Sequence, residues 1–276
     1  VHQNGFSSEH FIVGSPGGDG SQYILLAHTL LENGRFSFGP TEPPDTFRTP
    51  GYPFFIALML FLTGSIIFMP IGQIILTACS VALIFLVGAR FFNRGIGLAA
   101  AVLFALDPYL SMVMFLSASD TLFVFVLLLL ASAAYAGIQG APWVPTWKRD
   151  MKRVGELLRL RPGEKFVELG CGNARVCRHL KREQPQADVT GVELSLLQYG
   201  IGWLQNRLAG SGVKIKLENA FKHDLAGYDA LYLFLMPETY QKIRPKLEAE
   251  LKPGARVVSY VWPIPGWEAT KIDELD

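Results

Sequence analysis

Charged side chains are scarce in this sequence, and basic ones are almost missing from its first half. Of 276 residues, 50% are hydrophobic and only 18% are charged, against about 25% in ordinary soluble domains. Residues before position 141 include 4 Lys or Arg and 7 Asp or Glu, whereas the remainder carries 21 and 17. This split predicts a membrane part followed by a water-soluble part.

Cysteine is also rare, and its three positions lack the spacing of a metal site. Cys79 lies in an apolar run, while Cys171 and Cys177 flank a glycine-rich stretch. We therefore predict no metal and expect reduced thiols in a cytosolic compartment. No basic segment precedes an apolar stretch near Val1, so a signal peptide is not expected. Because the first residue is not Met, we expect a fragment that lacks its natural N-terminus.

Three apolar runs stand out in the first half. Residues 66–89 contain no Asp, Glu, Lys or Arg and are long enough to cross ~30 Å of hydrocarbon. A second run covers residues 95–116, and Asp107 with Pro108 predicts a kink or a helix end within it. A third run covers residues 121–138. Membrane helices are the favoured interpretation, and buried core helices of a soluble protein are the alternative.

The basic residues predict the orientation of these runs. Arg90 and Arg94 follow the first run, and the segment WKRDMKR follows the third. Because Lys and Arg concentrate on the cytoplasmic side, residues 66–138 are predicted to form about three spans. Residues 1–65, with an interfacial helix, would lie outside. Everything after residue 140 would lie in the cytoplasm, which predicts a multi-pass membrane protein with the lipid bilayer as a partner.

Residues 139–150 form a predicted linker, after which the sequence pattern changes. From residue 151 to 276, amphipathic helical segments alternate with five short apolar segments, which are KFVEL, DVTGVEL, KIKLENA, DALYLFL and ARVVSYVW. Repeated βα units are typical of a Rossmann-like, doubly wound parallel sheet. The predicted fold class is therefore a membrane α-helical segment followed by an α/β domain.

A glycine loop follows the first of these strands in VELGCGNARV. Gly170 and Gly172 permit a sharp turn and a close approach of the backbone to a ligand. The loop differs from the dinucleotide fingerprint because it has no third glycine. About twenty residues further on, Glu193 ends the second strand, where a carboxylate can accept hydrogen bonds from both ribose hydroxyls. The pattern indicates an adenosine-containing ligand without a diphosphate.

Residues 142–276 resemble the class I S-adenosylmethionine-dependent methyltransferases. The segments APWVPT, FVELGCGNARV, GVELSLL, FLMP and VWPIPGW are similar to the ATP synthase c-subunit and adenine nucleotide translocase lysine methyltransferases. The resemblance implies S-adenosyl-L-methionine as cofactor and a protein lysine as acceptor. It implies cofactor contacts from Glu168, Gly170, Gly172, Asn173, Glu193 and Asn219, with Trp143 and Pro145 in a segment that covers the site. Phe234 and Pro237 would line the substrate channel.

Two features depart from that family. Ser195 and Leu196 replace the usual Asn-Pro after the ribose carboxylate, and the sequence stops soon after GWEATKIDELD. We therefore expect the C-terminal strands to be incomplete, without the final antiparallel pair. The sequence contains no Asn/Asp-Pro-Pro-aromatic tetrad, which disfavours adenine or cytosine amines as acceptors. No nucleic-acid partner is predicted.

Residues 15–137 resemble a fragment of the polyprenyl-phosphate-dependent membrane glycosyltransferases, the protein mannosyltransferase superfamily. The segments that carry this resemblance include FRTPGYPFFIAL and SASDTLFVFVLLLLA. It implies that Asp19 acts as a base toward the acceptor, with Arg48 and Tyr52 at the end of the same loop. Asp120 would lie at the outer end of the third run, where it matches an acidic residue of that family. The alternative interpretation is that Asp120 is the N-cap of the helix that follows.

Three functional hypotheses follow from the sequence. The leading one is a membrane-tethered, S-adenosylmethionine-dependent methyltransferase that acts on protein lysine. The second is a fragment of a lipid-linked sugar glycosyltransferase, whether fused or joined from a separate gene. The third is a non-catalytic membrane anchor that retains a nucleotide-binding fold. The acceptor protein and the oligomeric state are left open.

Overall fold

The structure is a computed structural model, and it describes residues 19–109 and 119–273. The chain divides into two compact units, Val1–Leu128 and Leu129–Asp276. The division falls inside a helix and about ten residues before the linker that the sequence predicts. The final turns of that helix therefore belong to the second unit.

Four complete helices and the first turns of a fifth build the described part of the first unit. The four are α1 (Asp19–Asn33), α2 (Gly51–Thr63), α3 (Met69–Phe91, preceded by a 3₁₀ helix at Ile66–Phe68) and α4 (Arg94–Ala105). Helix α1 ends at Asn33 because Gly34 takes a left-handed conformation with a φ of 64°, and the Gly34 amide donates to Leu30 O. Helix α2 has 13 residues, too few to span a bilayer.

Helices α3 and α4 form a close hairpin because small residues face each other. A Cβ placed on Gly88 would lie 2.8 Å from the Cα of Gly97, so only glycine allows the backbones to approach this closely. Between the helices, the Asn93 side chain accepts a hydrogen bond from the amide of Ile96 at 2.9 Å and caps α4.

Two helices, rather than the predicted three, are long and apolar enough to cross a membrane among the described residues. They are the continuous helical stretch Ile66–Phe91 and helix α5 (Asp120–Gln139). The predicted run at 95–116 lies partly outside the described residues; within them α4 has only 12 residues, and it ends beside Asp107 and Pro108, where the sequence predicts a kink or a helix end. It stops before Asp107, whose carboxylate accepts the amide of Tyr109 at 2.8 Å. Pro108 has no amide hydrogen with which to continue the helix.

The second unit is the predicted doubly wound α/β domain. Its five parallel strands have the order β3-β2-β1-β4-β5. The strands are β1 (Lys165–Leu169), β2 (Asp188–Glu193), β3 (Lys214–Leu217), β4 (Ala230–Leu233) and β5 (Arg256–Ser259). The helices are α6 (Lys148–Leu158), α7 (Arg175–Glu183), α8 (Leu196–Ala209) and α9 (Pro237–Glu250). The predicted order of strands and helices is confirmed.

The sheet separates two hydrophobic clusters. On one face, Val154 of α6 and Leu180 of α7 pack against Phe166 of β1. On the other, Ile243 of α9 packs against Leu231 of β4. The strand order reverses beside β1, with β2 on one side and β4 on the other. Open parallel sheets bind ligands at such a switch point, outside the carboxyl ends of the strands.

Candidate cofactor-binding site

A cavity of ≈ 510 Å³ opens at the carboxyl edge of the sheet in the second unit. Its walls come from the ends of β1, β2 and β4, from the final turns of α5, and from residues 140–146, which we call the cover segment. The volume falls within the range of sites that hold a drug-sized ligand, roughly 300–1,000 Å³. Because Gly170, Gly172 and Glu193 line it, the cavity lies where the sequence predicts the cofactor.

Backbone contacts to β2 hold the glycine loop in place. The amides of Gly170 and Cys171 both donate to Val192 O, at 2.8 and 3.0 Å. Gly170 and Gly172 have φ values of 76° and 54°, a region that glycine enters without steric cost. Ala174 follows at a φ of 57° although it has a Cβ, which costs about 1–2 kcal/mol. The loop is thus forced to turn tightly between β1 and α7.

Glu193 ends β2 and is held by three backbone amides. One carboxylate oxygen accepts from Gly172 N at 2.7 Å, and the other accepts from Leu194 N at 2.9 Å and from Ser195 N at 2.7 Å. Burial raises the pKa of Glu193, and these hydrogen bonds act in the opposite direction. The carboxylate joins the glycine loop to the β2–α8 turn at the cavity wall.

Glu168 of β1 is a second buried carboxyl group at this cavity. Its Oε2 accepts from the thiol of Cys177 at 2.9 Å and from Cys177 N at 3.2 Å. Burial raises the pKa of Glu168 to about 8, more than these hydrogen bonds lower it. The nearby charge of Glu193 raises it further. The cavity wall thus contains two buried carboxyl groups, those of Glu168 and Glu193.

The cover segment is attached at one end to helix α9 and at the other end to strand β4. Thr239 Oγ1 donates to Gly140 O at 2.5 Å, and the hydroxyl of Thr146 lies 2.9 Å from the hydroxyl of Tyr232 on β4. Between these points Trp143 and Pro145 line the cavity, as the resemblance implies. The segment closes one side of the site.

The other predicted contacts lie at the same edge of the sheet, with one exception. Asn173, Asn219 and Phe234 all line the cavity. Asn219 Oδ1 accepts the amide of Phe221 at 2.9 Å. The ring of Phe234 meets the ring of Tyr260 edge to face at 4.8 Å. Pro237 begins α9 and is not among the cavity-lining residues in the described part of the chain.

The contribution of α5 to the cavity was not predicted. Residues 121–138 were expected to lie in the bilayer, yet Ala133, Ala136 and Gly137 line the cavity. The signal was the change from bulky to small side chains, from LLLL at 127–130 to ASAAYAG at 131–137. Small side chains allow another part of the chain to pack closely against a helix.

Among the described residues, no group of three or more His, Cys, Asp or Glu is placed to hold a metal ion. The three cysteines are all free thiols. Burial raises the pKa of the Cys171 and Cys177 thiols well above the ordinary value. Neither thiol therefore has the thiolate character of a nucleophile.

Gly172→Ala is expected to destabilise the second unit more than Gly163→Ala does. Both glycines have positive φ values, 54° and 79°, so both variants carry the same kind of backbone strain. A Cβ at Gly172 would lie 2.5 Å from Nε1 of Trp143, whereas nothing lies within 4 Å of one at Gly163. Overpacking costs about 1–3 kcal/mol, so urea unfolding should separate the variants by that amount. Equal midpoints would contradict the predicted contact.

In the first unit, the structure brings together part of the glycosyltransferase-like set. An oxygen of the exposed Asp19 carboxylate lies 3.9 Å from the guanidinium of the partly buried Arg48. The hydroxyl of Tyr52 is instead buried, and it accepts a hydrogen bond from the Gln73 side chain. The role of Asp19 as a base stays a prediction.

Residues 168–271 match the family model of the ANTKMT methyltransferase domain. The second unit is an ANTKMT-like, S-adenosylmethionine-dependent methyltransferase domain. The match begins at Glu168 and includes the glycine loop, Glu193, Asn219 and Phe234. It bears out the resemblance that the sequence predicts.

Curated and structural relatives cover the same part of the chain. A protein-lysine N-methyltransferase of Saccharolobus islandicus is 26% identical over 137 residues, 49% of this chain and 85% of its own length. The adenine nucleotide translocase lysine N-methyltransferase of Mus musculus is 33% identical over 135 residues, 48% of this chain and 57% of its own. An RNA methyltransferase from Salinibacter ruber with S-adenosyl-L-homocysteine aligns at 27% identity with a TM-score of 0.46, covering 48% and 87% of the two chains.

Residues 47–144 match a different family model, dolichyl-phosphate-mannose-protein mannosyltransferase. This match bears out the resemblance of the first half of the chain to the protein mannosyltransferase superfamily. The match lies C-terminal to Asp19 but includes Arg48, Tyr52 and Asp120. It also includes the end of α5 and Trp143, which line the cavity of the methyltransferase domain.

Proposed function

We propose that this chain transfers a methyl group from S-adenosylmethionine to a lysine side chain of a protein. The observation that carries the proposal is the arrangement of Glu193, which three backbone amides hold at the end of β2 beside the glycine loop. A carboxylate in that place can accept hydrogen bonds from ribose hydroxyls. The named lysine methyltransferases among the relatives support the choice of acceptor.

The residues of the cavity fit such a cofactor. Glu193 would hold the ribose, and Glu168 would face the ammonium group of the methionine moiety. Gly170 leaves the backbone accessible, since a Cβ there would meet only Leu235, at 3.3 Å. When bound, the cofactor supplies a methyl group that its sulfonium has already activated. The protein has only to bind the reactants, align them and exclude water.

The acceptor side of the cavity is apolar. Phe234, Leu235 and Ile243 line it together with the cover segment. Desolvation disfavours a charged ammonium and lowers the pKa of a lysine that enters such a site. A neutral amine would then be available for attack on the methyl group.

We infer that the first unit anchors the enzyme to a membrane with its methyltransferase domain in the cytoplasm. Two helices have the length and composition of spans, but the last turns of α5 line the cavity, so α3 is the helix that carries the anchor. Basic residues stand at its C-terminal end, with Arg90 in its last turn and Arg94 just beyond it. Lys and Arg favour the cytoplasmic side. The match to the mannosyltransferase model raises sugar transfer as a second activity, which would depend on Asp19 as its base.

A methyl-transfer assay tests the proposal. Purified full chain in detergent should move tritium from methyl-labelled S-adenosylmethionine into membrane proteins, and acid hydrolysis should recover the label as methyl-lysine. Label in RNA alone, or in no product from a folded protein that binds the cofactor, would overturn lysine as the acceptor. A Glu193→Gln preparation should give only background label.

The membrane anchor is tested separately. We expect the full chain to stay in the pellet after alkaline carbonate extraction, because α3 would remain in the bilayer. A charged pair introduced at Ile74 and Ile75 of α3, both exposed in the structure, should release part of it, since each charge at a span centre costs about 2.5–3.5 kcal/mol. Full extraction of the unaltered chain would contradict the anchor.

A further inference from the structure

We propose that Ser132, near the end of the apolar helix α5, is a positioning residue for the turn that carries Glu193. Its hydroxyl oxygen accepts the amide of Leu196, the first residue of α8, at 2.7 Å. Ser132 is buried, with 5% of its surface exposed, and Leu196 is also buried. The inference rests on the proposed function, because it concerns how the same site holds the cofactor.

The contact matters because the first amides of a helix have no partner within the helix. In α8, Glu193 accepts the amide of Ser195 at 2.7 Å, and the Ser195 side chain accepts that of Gln198 at 3.3 Å. The amide of Leu196 lies between the amides of Ser195 and Gln198 along the chain, and it donates to the hydroxyl oxygen of Ser132. Three side chains thus complete one helix start, and one of them comes from α5.

Loss of the Ser132 hydroxyl would act on Glu193 through this turn. A buried amide without an acceptor is costly, so Leu196 would shift toward water or toward another acceptor. The neighbouring amides of Leu194 and Ser195 both bind the same oxygen of Glu193. A shift of the turn would therefore release the carboxylate from the position where it faces the ribose.

The environment of Ser132 supports this role over that of an ordinary helical serine. The residues that follow it, Ala133, Ala134, Ala136 and Gly137, line the cavity. Gly140 is bound to Thr239, and Thr146 to Tyr232. The chain from Ser132 to Thr146 is therefore fixed at three points along the carboxyl edge of the sheet. Ser132 is the point that lies next to the ribose carboxylate.

The test measures binding of S-adenosyl-L-homocysteine and of its 2′-deoxy analogue to the full chain in detergent. Ser132→Ala should raise the Kd for S-adenosyl-L-homocysteine about tenfold. It should also reduce the preference for the ribose over the deoxyribose ligand, because that preference depends on Glu193. Ser132→Thr keeps the hydroxyl and should restore both values to within about threefold.

Ser80→Ala is the matched control. Ser80 is an equally buried serine of the other long apolar helix, and its hydroxyl donates to Leu76 O at 2.9 Å. Its removal should leave both ligands unaffected. A Ser132→Ala protein with unchanged binding, or with a weaker affinity for both ligands but an unchanged ribose preference, would overturn the positioning role. A folded wild type that binds neither ligand would instead overturn the proposed function.

Discussion

Glu193→Gln is expected to weaken S-adenosyl-L-homocysteine binding by about a hundredfold, roughly 2.7 kcal/mol. The carboxylate accepts three amides, two on one oxygen and Gly172 on the other. A carboxamide has only one acceptor atom, so its NH₂ group must face either the Gly172 amide or the Leu194–Ser195 pair. Either arrangement places donor against donor and disturbs one wall of the ribose site. Isothermal calorimetry on the full chain in detergent measures the change.

Glu250→Gln controls for the loss of any carboxylate that binds a backbone amide. Glu250, the last residue of α9, accepts a hydrogen bond from the amide of Leu225 at 3.0 Å. It is not among the residues that line the cavity in the described part of the chain. We expect the Kd of the Glu250→Gln variant for S-adenosyl-L-homocysteine to stay within about twofold of the wild-type value. Glu193→Ala leaves all three amides without their acceptor and is expected to cost about 3–5 kcal/mol of unfolding free energy. A Glu193→Gln affinity equal to that of the control would refute the assignment of Glu193 to the ribose.

The free energy of unfolding is expected to fall as the pH rises from about 5 to 8.5. Burial raises the pKa of Glu168 from 4.5 to about 8, so the folded protein retains a proton that the unfolded chain releases. This stabilising contribution is complete below the unfolded pKa and disappears as the pH rises through the folded pKa. At roughly 1.36 kcal/mol per pH unit, the loss is on the order of 4 kcal/mol. Burial also raises the pKa of Glu193, which acts in the same direction.

Glu168→Gln should flatten this dependence, because a neutral amide cannot titrate. Glu156→Gln, at an exposed position of α6, is the control and should keep the wild-type slope of unfolding free energy against pH.

Carboxylates with salt-bridge partners affect the unfolding free energy at acidic pH. The hydrogen bond from Arg256 lowers the pKa of Glu164, so its contribution is present above pH 4.5 and is lost as the pH falls. Urea unfolding midpoints at several pH values measure both effects. If the midpoint of wild type and that of Glu168→Gln changed equally with pH, the proton on buried Glu168 would be contradicted.

The local chemistry of the methyltransferase domain could be predicted from the sequence. Short apolar segments alternate with helical segments, and this pattern identified all five strands and the helices between them. Gly170, Gly172 and Glu193 could be assigned to one site because the carboxyl ends of parallel strands meet at one edge of the sheet. These signals are local and depend on only a few adjacent residues.

The apolar half was harder to interpret, since hydropathy reports composition and not what a helix contacts. The run at 95–116 met the length criterion, yet its helix stops before Asp107. The run at 121–138 did form a helix, but its last turns pack in the methyltransferase unit. A stretch of small residues suits either a helix interface in lipid or a cavity wall, and the sequence alone does not distinguish these.

The sequence by itself determined the parallel α/β fold, the glycine loop and the acidic residue at the end of β2, because each depends on residue type and spacing. Only the tertiary structure decided which groups satisfy these residues. It pairs Glu193 with three backbone amides, Glu168 with Cys177, and Leu196 with Ser132, a residue 64 positions away. Such long-range contacts are set by how the chain packs, and no local pattern encodes them.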